Sequence, residues 1–281
     1  MTPPYQALDL SFSVRMVDDD LAAYLEPLLA PFATDAPARH LYSVVDDGER
    51  FKSRYAVYFD GQHIIRTPDE AQALDYLLWH LNRAVVAESD RYLLLHAAVA
   101  AFDGSAILLP APMDSGKTTL VAGLVQRGFG YLTDEAAAID PVTLDIDPFP
   151  KPLSIDSGSW GVLSALRPSH DARFARFAAE RWHVEVDAVR TGATAGSCPA
   201  RLVVSPRYEA GAQTKLERIS RAAAVLMLAE NAFNFASHKE NALDTLAAVV
   251  RRCDCYRLTV GSLDAACDEI VSIVERRMVG V

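Results

Sequence analysis

Ala111-Pro112-Met113-Asp114-Ser115-Gly116-Lys117-Thr118 lies between an apolar run, Ala106-Ile107-Leu108-Leu109, and a stretch whose apolar residues (Leu120, Val121, Leu124, Val125) recur at helical spacing until Gly128. A short apolar run followed by a 3.6-residue period predicts strand, loop and helix in that order. In this context Gly116-Lys117-Thr118 reads as the end of a phosphate-binding loop, a P-loop. Its backbone N–H groups would face an anion lying at the positive end of the helix. Lys117, facing ligand or solvent, would reach the terminal phosphates of a nucleoside triphosphate. The Thr118 hydroxyl would ligate Mg²⁺, and residues 111–119, ending at Thr119, would form the nucleotide cradle. Ala111 stands where the usual pattern opens with Gly. Asp114 is odder, because related loops often carry Gly there. Asp accepts a left-handed backbone better than most residues, but its carboxylate repels phosphates unless it turns outward or meets Mg²⁺.

Outward from the loop, Gly130-Tyr131-Leu132-Thr133 predicts a short strand that ends at Asp134-Glu135. An acidic pair at the C-terminal end of a strand beside the P-loop strand is where phosphoryl transfer needs carboxylates. One holds Mg²⁺ directly or through water, and the other accepts the proton of an attacking hydroxyl. Thr133 and Asp134 also suit a helix N-cap; the loop upstream is what favours the catalytic reading. His96 is expected at the end of the strand preceding the P-loop strand, where a lone His is more often a satisfied core residue than a catalyst. Lys151, in Phe149-Pro150-Lys151-Pro152, sits in a stiff proline-flanked turn and either meets a phosphate or stands in solvent. Arg207 and Lys215 flank a Gly-containing loop and are weaker anion candidates. His183, His238 and the cysteines form no recognisable metal set. Asn231, Asn234 and Ser237 follow a helix as capping residues.

The chain has 281 residues, 51% hydrophobic and 23% charged, with a formal net charge of -10. That composition suits one large or two modest globular domains. No run of Lys/Arg is present, so a nucleic-acid partner is not expected, whereas a nucleotide with Mg²⁺ is compatible with an acidic protein. No apolar stretch approaches the roughly 20 residues of a spanning helix, and Met1-Thr2-Pro3-Pro4-Tyr5 lacks the basic and apolar regions of a signal peptide. Cys253-Asp254-Cys255 lacks CxxC spacing, so Cys198, Cys253, Cys255 and Cys267 read as reduced thiols of a cytoplasmic protein without a membrane partner. A homo-oligomer stays open.

Residues 1 to about 90 read as a small α+β domain of their own. Ser11–Arg15 and Tyr55–Phe59 are strand-like, Asp60-Gly61 is a hairpin turn before Gln62–Ile65, and Pro68-Asp69-Glu70 opens a helix with Leu74, Leu77, Leu78, Leu81 and Val85 on one face. This domain carries no catalytic motif; its expected role is packing or recognition. The second domain, 91–281, opens with Tyr92–Ala100 and Ser105–Leu109 as strands. It continues with loops around short strands over 141–160, strands at Arg201–Ser205 and Tyr256–Val260, and helices at Ser220–Leu228, Asn241–Arg252 and Leu263–Arg277. The class is α/β, a P-loop core with a mixed β-sheet.

His96-Ala97-Ala98, then Ala111 to Thr118, then Gly128 to Glu135, in that order and spacing, resembles the catalytic domain of the HPr serine kinase/phosphorylase family. Phe149-Pro150-Lys151-Pro152-Leu153-Ser154, Val203–Tyr208 and Cys255–Leu258 are similar to segments of divergent members, including the kinases of lasso-peptide clusters, more than to the bifunctional enzyme. The resemblance spans residues 92 to 275 and implies a fold related to phosphoenolpyruvate carboxykinase. It implies ATP- and Mg²⁺-dependent transfer of the γ-phosphoryl group to a hydroxyl acceptor, a serine of a peptide or protein or a small alcohol. By the same resemblance His96, Lys117, Asp134 and Glu135 are catalytic, and Thr118, Asp134 and Glu135 hold the metal. Three departures stand out: the acidic pair is Asp-Glu rather than Asp-Asp, positions 111 and 114 have lost Gly, and the loop of the phosphorylase reaction is missing. The alternative is a nucleotide-binding accessory protein of a peptide-modification cluster with weak catalysis, which the charge of Asp114 favours.

Overall fold

Asp60 and Gly61 both take positive φ, 48° and 78°, as the two-residue hairpin turn requires. They join β4 (Tyr55–Phe59) to β5 (Gln62–Thr67), the last strands of a sheet that begins with β1 (Tyr5–Ala7), β2 (Leu10–Met16) and β3 (His40–Asp46). This computed structural model of the chain describes residues 2–16, 18–46, 48, 54–168, 173–238 and 240–278. The five strands lie in sequence order, β2 and β3 parallel and the other pairs antiparallel. Helix α1 (Asp19–Leu29) is capped by the Asp18 carboxylate. Helix α2 (Glu70–Glu88) is capped by Asp69, which accepts from the Ala71 and Gln72 amides. The predicted leucine face of α2 is buried.

The next stretch contains β6 (Leu93–Phe102), β7 (Ser105–Pro110), α3 (Lys117–Gln126), β8 (Gly130–Thr133), β9 (Ala136–Ile139) and β10 (Asp145–Asp147). Then come β11 (Leu153–Asp156) and β12 (Arg181–Val184), which pair with each other. The chain ends with α4 (Val186–Val189), β13 (Cys198–Tyr208), β14 (Lys215–Arg218), α5 (Arg221–Glu230), α6 (Phe235–His238), α7 (Glu240–Arg251), β15 (Asp254–Val260) and α8 (Leu263–Met278).

Two compact units result: residues 1–89 with 151–185, and residues 90–150 with 186–281. The expected single break near residue 90 therefore marks only the first of three crossings. Residues 151–185 group with the N-terminal segment because they supply it with apolar and polar partners: the Phe177 ring packs, tilted, against Tyr24 (4.9 Å between centroids), His183 Nε2 meets Asp75 Oδ1 at 2.5 Å, and Arg176 Nε donates to Glu70.

The second unit is a mixed α/β body. Its sheet runs β10-β9-β6-β7-β13-β15-β14, with β8 also on β6, and β10 pairs again with β13, so the pairings close on themselves. β7, β13 and β15 are mutually parallel, the rest antiparallel. The odd-numbered residues of β6, Leu93 to Ala101, alternate onto the face that packs with Ala224 and Leu228 of α5 and with Leu246, Val249 and Val250 of α7. On α3, Gly123 leaves room for Leu263 and Cys267 of α8; an added Cβ would sit 2.8 and 2.9 Å from their side chains. All four cysteines are buried free thiols. Among the described residues no helix is long and apolar enough to cross a membrane.

Candidate functional site

Strand β7 ends at Pro110 and α3 begins at Lys117, so the segment read as a P-loop connects a buried strand to a helix. Two residues take the left-handed backbone that turns the loop: Asp114 with φ 60° and Gly116 with φ 86°. Gly116 is the N-cap of α3 and its carbonyl accepts the Leu120 amide at 2.9 Å, closing the first turn. Among the described residues no side chain caps this helix, so its amide dipoles point into the loop. A Cβ at 116 would meet Tyr208 Cβ at 3.8 Å, which places the C-terminal end of β13 beside the loop.

Lys117 differs from the expectation of a ligand- or solvent-facing side chain. It is 5% exposed, and its ammonium donates to the carbonyls of Ala111 (2.8 Å) and Pro112 (2.7 Å). Two of its three donors thus pin the start of the loop, leaving one for a ligand. Burial lowers its pKa, opposed by the negative charges of Glu135, Asp134 and Asp114. Asp114 is itself exposed, while the Ser115 hydroxyl is buried without a hydrogen-bond partner among the described residues.

Thr118, one residue into the helix, donates its hydroxyl to Asp134 Oδ2 at 2.9 Å, and Tyr131 donates to Asp134 Oδ1 at 2.8 Å. Asp134 is 3% exposed. A carboxylate taken out of water is tolerated when charge-assisted hydrogen bonds replace its hydration, and these two hydroxyls do so.

The position of the acidic pair needs one correction: β8 lies beside β6, not beside β7, the strand that leads into the 111–116 loop. His96 likewise is not at the end of its strand but within β6, at a seam. Residues Leu93–His96 pair with β9 and Val99–Ala101 pair with β8. Asp134 and Glu135 form the bend between those two partners, and the Glu135 carbonyl accepts the Ala97 amide at 3.2 Å. One long strand shared by two short ones therefore sets His96 opposite the acidic bend. Its Nε2 lies 4.0 Å from Glu135 Oε1, beyond hydrogen-bond range. Burial first, then the nearby Lys117 charge, push the His96 pKa down to about 4 against the pull of Asp134, so the ring is neutral near pH 7. Phe233 packs on it at 5.4 Å, and Asn231 accepts its amide at 2.7 Å.

His96, Lys117, Thr118, Asp134 and Glu135 are thus brought together within the second unit. Lys151 belongs to the first unit, where it is 3% exposed and its ammonium donates to the Pro152 carbonyl at 3.1 Å, so it does not stand in open solvent. Arg207 is exposed, and Lys215 forms a surface pair with Glu217 at 2.7 Å. His238 donates to the Tyr92 carbonyl, and Asn234 bonds the backbone of Tyr92 and Leu94, tying α6 to β6 rather than only capping. Tyr131 was not among the expected site residues; a tyrosine in a buried strand reads as packing until its hydroxyl is located.

The donor set fits a magnesium–triphosphate group. A threonine hydroxyl that gives its proton to a carboxylate turns its lone pairs toward a cation, and Mg²⁺ usually takes one or two protein oxygens and completes its shell with phosphate and water. Among the described residues no group of three His, Cys, Asp or Glu is placed to hold a metal ion by itself. No protein-family profile and no curated protein matches this chain.

Proposed function

We propose that the second unit is a P-loop kinase of the HPr-kinase-like kind, transferring the γ-phosphoryl group of ATP to a hydroxyl. The observation that carries this reading is the Thr118–Asp134 hydrogen bond at the start of α3, with the partly exposed Glu135 next in sequence and His96 4.0 Å from it. Loop amides and the remaining Lys117 donor would bind the β- and γ-phosphates. Thr118 would hold Mg²⁺, with Asp134 fixing the threonine or reaching the ion through water. Bound there, the ion neutralises charge on the phosphate oxygens.

The two carboxylates then divide their work by burial. Asp134 is enclosed and engaged by two hydroxyls, while the Glu135 side chain is 36% exposed. Glu135 is therefore the base: it takes the acceptor's proton as the new O–P bond forms and the bond between the γ-phosphorus and the bridging oxygen breaks, releasing ADP. Neutral His96 beside it orients the acceptor without competing for that proton. The acceptor is a serine of a peptide or protein or a small alcohol, and a cytoplasmic setting belongs to the same proposal. The accessory reading, binding without transfer, is favoured by one observation, the exposed Asp114 carboxylate in the loop.

Coupled-enzyme detection of ADP, with and without hydroxyl-bearing acceptors, separates the two. Glu135→Gln should bind ATP normally and slow transfer by roughly 10²- to 10⁴-fold, the usual worth of a general base. Asp134→Asn should instead raise the Mg²⁺ concentration needed. Full transfer rate in Glu135→Gln refutes the assignment of the base, and nucleotide binding without acceptor-stimulated ADP release refutes the kinase.

A further inference from the structure

We propose that Tyr131 is a positioning residue: its hydroxyl fixes the Asp134 carboxylate so that the other oxygen meets Thr118. This rests on the magnesium–nucleotide reading above. Packing explains the ring, since Tyr131 is wholly buried in β8, but phenylalanine would pack as well. The hydroxyl needs a reason, because a buried phenol is costly unless it finds a partner. That partner is Asp134 Oδ1 at 2.8 Å.

The strand is built to hold the ring still. The Tyr131 amide donates to Ala193 O at 2.7 Å and its carbonyl accepts from the Ala195 amide at 2.9 Å, while Ala100 of β6 flanks the other edge. Gly130 permits the close approach: a Cβ there would lie 2.7 Å from Ala195 Cβ. Arg190, just upstream, donates to the Phe129 carbonyl at 2.9 Å and secures the same segment. Asp134 lies past the end of β8, in the bend before β9, and the Tyr131 hydroxyl also engages its backbone amide. The Tyr131 and Thr118 hydroxyls hold its two carboxylate oxygens. Tyr131 carries the rigidity of the 193–195 segment into the carboxylate, and Thr118 reads it.

The test compares full-length wild type, Tyr131→Phe and Val249→Ala, the last a cavity in the α7 core of the same unit. The readouts are mant-ATP fluorescence during Mg²⁺ titration, mant-ATP affinity without metal, and the thermal midpoint. Tyr131→Phe should need about tenfold more Mg²⁺, the usual cost of removing a group that orients a metal ligand. Metal-free nucleotide affinity should not change. Val249→Ala should lower the thermal midpoint without moving the Mg²⁺ midpoint. An unchanged Mg²⁺ midpoint in Tyr131→Phe overturns the positioning role and leaves the kinase reading intact. Equal shifts in both variants also overturn it, because they report loosening of the unit. If wild type shows no Mg²⁺-dependent mant-ATP binding, the nucleotide reading fails and this inference with it.

Discussion

Replacing His96 with Gln should flatten the acid side of the stability profile, and the size of the change can be worked out from the site. The ring's pKa is pushed from the ordinary 6.5 down to about 4. The folded chain therefore resists a proton that the unfolded chain accepts. Stability from this group is fully present above pH 6.5 and is lost as pH falls from there toward 4. At roughly 1.36 kcal/mol per unit the complete loss is about 3 kcal/mol; linkage puts about 2 kcal/mol of it between pH 7.5 and 5. The side chain is 18% exposed, so little of this is screened by solvent. The groups acting on the ring are the buried surroundings, Lys117 and Asp134, with Glu135 4.0 Å away. The assay is urea unfolding of wild type and His96→Gln at both pH values, because the other titrating groups cancel in the difference. The wild-type advantage should shrink by about 2 kcal/mol at the lower pH. Lys117→Met, which removes one of the two depressing causes, should raise the ring's pKa in an NMR titration. A wild-type His96 pKa of about 6 or more, or equal pH sensitivity in wild type and His96→Gln, would refute the description of the pocket.

Asp114→Gly should bind ATP more tightly, by roughly tenfold. It removes a negative charge near the phosphates and relieves a φ of 60° that glycine adopts without strain; unchanged affinity by calorimetry would show that the carboxylate points clear of the nucleotide. Gly261→Ala should destabilise the second unit by about 3 kcal/mol, since the new Cβ would lie 1.9 Å from the Ala212 carbonyl oxygen, and a thermal midpoint within a degree of wild type would rule the contact out.

Local signals carried the elements that sequence could deliver. β8 falls on Gly130–Thr133 as read, and Ser220 caps α5 through the Ala223 amide. α7, β15 and α8 lie within two residues of their expected bounds because each has a strong period or a clear stop. β9 was missed for a physical reason: Ala136-Ala137-Ala138-Ile139 has small residues that do not favour strands, and it is a strand through burial between β6 and β10. α1 was hidden by Pro27, which lies inside it, although Asp18, Asp19 and Asp20 at its start are a helix-initiating signal. The grouping of residues 151–185 with the N-terminal segment depends on contacts such as Phe177 with Tyr24, which no local pattern encodes. In the site, the order His96, loop, acidic pair pointed to residues that the fold brings together. It was not enough to say that β6 is shared by β8 and β9, which is what sets the ring opposite the bend.

The three crossings between units bear on how the chain is made. Residues 1–89 leave the ribosome well before residues 151–185, which complete their unit. At roughly 5–20 residues per second, the wait for the missing part is roughly 5–20 s. Through that interval Tyr24, Glu70 and Asp75 lack Phe177, Arg176 and His183, the groups they contact in the finished protein. Helices α1 and α2 thus have an unfinished flank for several seconds while residues 90–150 are being synthesised behind them, and chaperone binding in that window should concentrate on these two helices.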